Sequence, residues 1–195
     1  MKKLAKVCID FITTLLISPF IVLNSLSKKI GSNESTFVFC SQMLSLIPGK
    51  LGNYLRKNFF RFSMEYCDAD CLIGFATLFS HSDTEIHKNV YIGPQCNIGK
   101  SKIEKNALLG SGVHILSGKG QHNFDDLDTP IQEQGGHFNK ITIGEDTWIG
   151  NGAIIMANIG KKCVIGAGSV VIKDIPDYSI VGGNPAKLLK SRLPN

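Results

Sequence analysis

The sequence predicts an all-β fold, a left-handed parallel β-helix, with a helical region before it and a short helix after it. Two observations carry this. Aliphatic residues recur every six positions through most of the chain, and glycine follows them in phase. Neither a 3.6-residue helix nor a two-residue alternation gives aliphatic-glycine pairs at that interval. A short strand followed by a tight turn does, and three such units close one triangular coil.

The hexads run Ile73 and Phe79; Ile86, Ile92 and Ile98; Ile103, Leu109 and Ile115; Ile143, Ile149 and Ile155; Ile159, Ile165 and Val171. Each of these residues is expected to point into a narrow interior. Gly74, Gly93, Gly99, Gly110, Gly144, Gly150, Gly160 and Gly166 follow them and are expected to allow the corners. Stacked coils then form three parallel sheets, in the left-handed sense that is the exception to the usual crossover rule. A β-sandwich would space its strands about 8–12 residues apart. The repeat sets the domain plan: residues 1–70 helical, 71–181 the β-helix, 182–195 a C-terminal tail or helix.

Within residues 1–70, the run from Leu4 to Leu26 is apolar and flanked by lysines, but Lys6, Asp10 and Asn24 interrupt it and Pro19 would kink it. A spanning helix needs about 20 mostly apolar residues. The segment reads either as a membrane-associated helix, interfacial or marginally inserted, or as a helix packed on the main domain or a partner subunit. No small-x-small cleavage site follows it, which argues against a removable leader. In SLIPGKLGNYLRKNFFRF, residues Leu51, Tyr54, Leu55, Phe59 and Phe62 fall at helical spacing, with Lys50, Arg56, Lys57 and Arg61 at other positions. This helix is expected to cap the first coil, which would otherwise expose apolar surface. A basic amphipathic helix also suits an anionic leaflet, so membrane association through residues 1–62 is an expectation, at the inner face of the plasma membrane of a cytoplasmic protein.

Net charge is +5, which suits an anionic partner such as a phosphorylated cofactor, lipid head group or nucleotide-sugar. The basic residues form no stripe with interleaved aromatics, so no nucleic acid is expected. The six cysteines are Cys8, Cys40, Cys67, Cys71, Cys96 and Cys163. They form no paired framework and no set of four zinc ligands, so reduced thiols, a cytosolic setting and no metal are expected. The hexads vanish from Ser117 to Lys140, a polar run (SGKGQHNFDDLDTPIQEQGGHFNK). A loop this long in a repeat protein is usually functional.

The closing run ITIGEDTWIGNGAIIMANIGKKCVIGAGSVVIKDIPDYSIVGGNPAKLLKSRL, Ile141 to Leu193, resembles the hexapeptide-repeat acyltransferases, with their sugar, serine, and streptogramin or chloramphenicol acetyltransferases. The combination of SLIPGKLGNYLRK, HILSGKGQH and PIQEQGG is similar to a subgroup associated with bacterial surface-polysaccharide synthesis. The resemblance implies a homotrimer with an active site in each cleft between neighbouring β-helices, acetyl-coenzyme A as donor, and a saccharide or nucleotide-sugar acceptor.

It also implies a role for His122. Related sugar acetyltransferases carry their catalytic histidine at this place in the loop. A sugar hydroxyl is too weakly acidic to attack a thioester unaided, and an imidazole with a reference pKa of about 6.5 can take its proton. Asp125, Asp126, Asp128, Glu133 or a backbone carbonyl would orient it. Where the sugar enzymes often have proline after the histidine, this chain has Asn123, which bears on the acceptor. His81, His87, His114 and His137 read as surface residues. For the donor, the resemblance points to Trp148, Gly150, Ala167 and Gly168 along the pantetheine arm, and to Lys173 and Lys187 for the phosphates. Three other readings stand beside this one. They are a drug-modifying acetyltransferase, whose Asn-His pair is here Gln121-His122; a carbonic-anhydrase-like zinc enzyme using His81, His114 and His122; and a non-catalytic scaffold.

Overall fold

The structure is a computed structural model describing residues 2–31 and 33–194. Three helices come first: α1 (Lys2–Ile30), α2 (Asn33–Ser45) and α3 (Gly49–Ser63). A left-handed parallel β-helix follows. Its first face stacks Tyr66–Cys67, Glu85–Ile86, Ser101–Ile103 and Ile141–Ile143, and bridges at Ile159 and Ile175 continue it. Its second face stacks Leu72–Ile73, Tyr91–Ile92, Leu108–Leu109, Trp148–Ile149, Val164–Ile165 and Ser179–Gly182. Its third stacks Leu78–Phe79, Asn97–Ile98, His114–Ile115, Ile154–Ile155 and Val170–Val171. The stack thus opens at Tyr66, ahead of the boundary at 71 that the hexads suggested.

All fourteen hexad residues named above are buried, none above 2% exposed. A second inward position lies two residues earlier and takes mostly smaller residues, Ile141 being an exception. Cys71, Cys96 and Cys163 occupy it, beside Thr77, Ala107, Val113, Thr147 and Ala153. The polar ones bond at the corners: Thr77 Oγ1 donates to the Gly93 carbonyl at 2.7 Å and Thr147 Oγ1 to that of Gly160 at 2.8 Å. Three of the cysteines are therefore interior filler, and burial pushes the Cys96 and Cys163 thiols up.

The phased glycines do a different job from the one expected. The left-handed backbone of the corners falls two residues after them, at Ala76, Gln95, Asp146, Lys162, Gly112, Gly152 and Gly168 among others. The phased glycines instead let successive coils touch. A Cβ on Gly150 would stand 2.5 Å from the Ala167 nitrogen, closer than any real contact.

The helices cap the first coil, as the sequence suggested. Phe37, Phe59 and Phe60 are buried, and Phe60 meets Phe79 edge-on at 4.8 Å. Coil amides with no coil beneath them find helical acceptors: Ile73 N–H donates to Asn53 Oδ1 at 2.9 Å and Phe79 N–H to Ser41 Oγ at 3.1 Å. This blunts a sheet edge that would otherwise recruit another strand.

Two expectations fail here. Arg56 and Lys57 are not on an outer basic face: they are 1% and 2% exposed, whereas Leu51 and Phe62 are both 54% exposed. Arg56 turns inward because the carbonyls of Leu44, Ser45 and Ile47, left over at the end of α2, need donors. It serves all three and that of Ile73, and burial lowers its pKa to about 10. The segment Lys187–Ser191 is a strand, not a helix. It pairs antiparallel with Ser179–Gly182, because that otherwise terminal strand offers an open row of backbone groups.

Candidate active site

The polar run of residues 117–140 folds as a two-armed hairpin rather than an open loop. Asn139 N–H donates to the Ser117 carbonyl at 2.9 Å, His137 to Gly120 at 2.6 Å and Asn123 to Gly135 at 3.0 Å. The tip is tied by Asp126, which accepts from Thr129 Oγ1 at 2.7 Å and from the Asp128 amide at 2.9 Å. These hydrogen bonds, the Thr129 hydroxyl first, hold its carboxyl below the usual carboxylate range. Asp126 is therefore committed to the turn. Where the arm returns to the first face, Lys140 Nζ binds Glu65 Oε2 at 2.7 Å and Glu85 Oε1 at 2.9 Å.

The arm leans over the third face and encloses a groove of about 320 Å³, lined by Ser80, His81, Asn97, His114, Gln121 and Phe138. His114 and Asn97 are register partners on the floor. His81 forms a wall, with Nδ1 3.0 Å from Ser80 Oγ and its ring 5.6 Å from that of Phe138 on the arm. His122 follows Gln121 along the arm and is exposed, outside the set of residues that line the groove. Its position depends on Gly136 in the opposite arm, where a Cβ would fall on the Gln121 carbonyl and 2.8 Å from the His122 nitrogen.

His81 and His114, read from sequence as surface residues, thus line the groove, and Ser80, Asn97 and Phe138 join them. The signal for His114 and Asn97 lay in the hexads, since each precedes an inward isoleucine and the two stack one coil apart. Nothing local marked Ser80, His81 or Phe138. His87 lies elsewhere, on the first face, against the Tyr66 ring and Glu85.

The six residues expected to hold the donor divide into two groups. Trp148 projects from the second face, 53% exposed, and Gly150, Ala167 and Gly168 lie at the corner between the second and third faces. Gly150 faces Ala167 and serves stacking, while Gly168 is at φ +67° with open space around it. Lys187 pairs with Gly182 at the edge of the second face. Lys173 stands in a separate polar cleft of about 600 Å³ at the base of the arm, which it lines with Lys119, Lys140, Asn158 and Asp174. Among the described residues, no group of three or more His, Cys, Asp or Glu stands ready for a metal ion.

Comparison with known proteins agrees with this architecture. The family model described as the hexapeptide repeat of succinyl-transferase matches residues 140–173. A probable macrolide acetyltransferase of Lysinibacillus sphaericus is 33% identical over 122 residues, 54% of this chain and 65% of that protein. Curated relatives are matched over as little as 24% of their length, so the chain spans less than two thirds of those proteins. Among solved structures, a maltose O-acetyltransferase from Clostridium difficile 630 superimposes with TM-score 0.73 at 23% identity, covering 83% of this chain and 87% of that one. A hexapeptide-repeat acetyltransferase from Vibrio cholerae O1 biovar eltor, solved with acetyl-coenzyme A, superimposes with TM-score 0.67 at 20% identity, covering 82% and 89%. The repeat register, the three stacked faces and these matches together show a left-handed β-helix that carries the hexapeptide repeat and is similar to acetyltransferases built on it.

Proposed function

We propose that the chain is an O-acetyltransferase that moves an acetyl group from acetyl-coenzyme A to a sugar hydroxyl, that of a surface-polysaccharide precursor, with His122 as general base. The observation that supports this is the hairpin arm, which brings Gln121, the chain neighbour of His122, to a groove on the third face. In the reaction the acceptor oxygen attacks the thioester carbonyl as His122 takes its proton. The carbon–sulfur bond breaks, the imidazolium returns the proton to the sulfur, and an acetyl ester and free coenzyme A result. No covalent enzyme intermediate is required.

The lining suits a saccharide. Ser80, Asn97, His114 and Gln121 offer donors and acceptors to hydroxyls, and Phe138 offers a flat apolar face. Lys119 and Lys173, in the cleft at the base of the arm, carry positive charge for the donor's phosphates. A homotrimer is supported by the outward row of the second face: Leu72, Tyr91, Leu108 and Trp148 are stacked partners and 39% to 53% exposed, an apolar strip suited to a subunit contact.

The macrolide acetyltransferase relative favours a second reading, transfer to a drug hydroxyl. Against it, Ser80, Asn97, His114 and Gln121 bring more hydrogen-bonding groups into the groove than a large apolar drug needs. Thiol release from acetyl-coenzyme A, measured with oligosaccharides, nucleotide-sugars and a macrolide, separates the two. Saccharide-dependent release that His122→Ala lowers by about 100-fold or more and His114→Ala lowers less is the expected result. Release only with the macrolide transfers the assignment to the second reading, and full activity of the His122 variant removes that residue from the chemistry.

A further inference from the structure

Helix α1 is built inside out. Its polar residues face the protein: Asp10 Oδ1 accepts from Lys57 Nζ at 2.8 Å, Thr13 Oγ1 accepts from Asn58 Nδ2 at 2.7 Å, Lys6 pairs with Asp70, and Asn24 is 1% exposed. Ile17 is buried, with Phe20 and Ile21 packed partly against the core, but most apolar residues face outward: Val7, Phe11, Leu15, Leu16, Val22 and Leu26 are each between 53% and 72% exposed. No charged residue occurs from Phe11 through Ser27. A surface helix of a soluble protein has the opposite arrangement.

We propose that α1 lies in the plane of a lipid bilayer, its outer face sunk to the boundary between head groups and acyl chains, and that it holds the whole chain at the membrane surface. Three features select lipid over a protein partner. The outer face is apolar from Phe11 to Leu23, about 18 Å at ~1.5 Å per residue, with Ser25 the exposed polar residue beyond it, so it offers few of the donors and acceptors that fix register in a protein interface. Lys28 and Lys29 stand exposed in the last turn, where anionic head groups would lie. Net charge is +5, so the chain as a whole is drawn to an anionic leaflet.

The helix is apolar and long enough to cross a membrane, but its packing selects the in-plane orientation. Contacts to α3 run from Asp10 to Lys28, whose Nζ donates to the Ser63 carbonyl at 3.0 Å. A crossing α1 would draw α3, with Arg56 and Lys57, into hydrocarbon at large cost. The same contacts make α1 a part of the fold.

Flotation of the purified full chain on phosphatidylcholine vesicles, with and without phosphatidylglycerol, tests this without any acetyl transfer, so its outcome is separate from that of the reaction. The chain should float, more with phosphatidylglycerol and less at high salt. Cys8 is the exposed cysteine, the other five being buried, so an environment-sensitive maleimide on it reports the same insertion by a blue shift. The exposed pair Leu15→Gln and Leu16→Gln should cut the bound fraction by about tenfold or more with an unchanged melting curve, while Leu188→Gln at the far end of the coils floats like wild type. Carbonate washing should release the protein. Wild type that stays unbound, a Leu15/Leu16 variant that floats equally well, or protein that resists carbonate would each overturn the proposal. So would a vesicle-free assembly that the same pair of substitutions dissolves, since the face would then belong to a second copy.

Discussion

Gly136 closes directly on Gln121: a Cβ at position 136 would fall on the Gln121 carbonyl and stand 2.8 Å from the His122 nitrogen. The two arms of the hairpin thus approach as closely as bare backbone allows, beside the proposed base. Gly136→Ala must push the Gln121–His122 segment off its partner. A displacement near 1 Å at a reacting group lowers turnover by about 100-fold, so kcat should fall by roughly 10- to 100-fold. The coil interior is separate from this contact, and the melting temperature should stay near that of wild type. Thiol-release kinetics beside a thermal melt checks both halves.

Lys140 ties the returning arm to the first face through Glu65 and Glu85. Burial raises the Glu85 carboxyl, but hydrogen bonds from Lys140 and His87 outweigh it and leave the group below its usual range. A depressed carboxylate stabilises the fold above its unfolded pKa of about 4.3, and that contribution is lost as pH falls through the folded value. Lys140→Met should therefore cost about 1 kcal/mol at neutral pH, with the difference from wild type shrinking once the carboxylates protonate. Urea unfolding of both proteins at neutral and acid pH measures this. A difference that stays constant with pH would mean that the lysine acts through packing alone.

The β-helix was legible because a period of six is written in the aliphatic residues themselves, and Ile73 through Val171 all point inward as the register requires. The corners were less legible. Asn89, Gln95, Asn106, Asp146, Lys162 and Tyr178 adopt positive φ, and no single residue type marks that set. Arg56 and Lys57 were misplaced because helical spacing tells which positions share a face but not that the end of α2 and Asp10 wait opposite. The break at Ser117 exposed the arm and with it His122. The groove was hidden, since Ser80 and His81 are brought to Phe138 by coil stacking across more than fifty residues of chain.

Gly150 and Gly168 differ in what an added methyl group would meet. Alanine at 150 meets the Ala167 backbone at 2.5 Å, whereas alanine at 168 meets nothing but must hold φ near +67°. Gly150→Ala should destabilise by about 2–3 kcal/mol as overpacking, and Gly168→Ala by about 1 kcal/mol for the left-handed backbone. If the pantetheine arm passes this corner, Gly168→Ala also raises the KM for acetyl-coenzyme A with kcat little changed. Denaturant melts and donor titrations on the two variants read these effects independently.

The pair Lys57–Asp10 fixes α1 on α3 and so decides which face of α1 is left outside. Lys57 is 3% exposed and Asp10 20% at the side chain, and Lys57 Nζ also lies 4.7 Å from the centre of the Tyr54 ring. Lys57→Met leaves Asp10 facing the interface without its ion-pair partner, with the Asn58 amide at 3.4 Å. Removing one member of a buried pair typically costs about 3–5 kcal/mol, and the exposed fifth of Asp10 lowers the expectation here to about 2–3 kcal/mol. Replacing both members by apolar groups removes the uncompensated charge, so Asp10→Leu combined with Lys57→Met should cost less than Lys57→Met alone. A double-mutant cycle by denaturant unfolding checks that ordering. If the double variant is instead the least stable, the pair positions α1 through its hydrogen bonds, and apolar packing does not replace it.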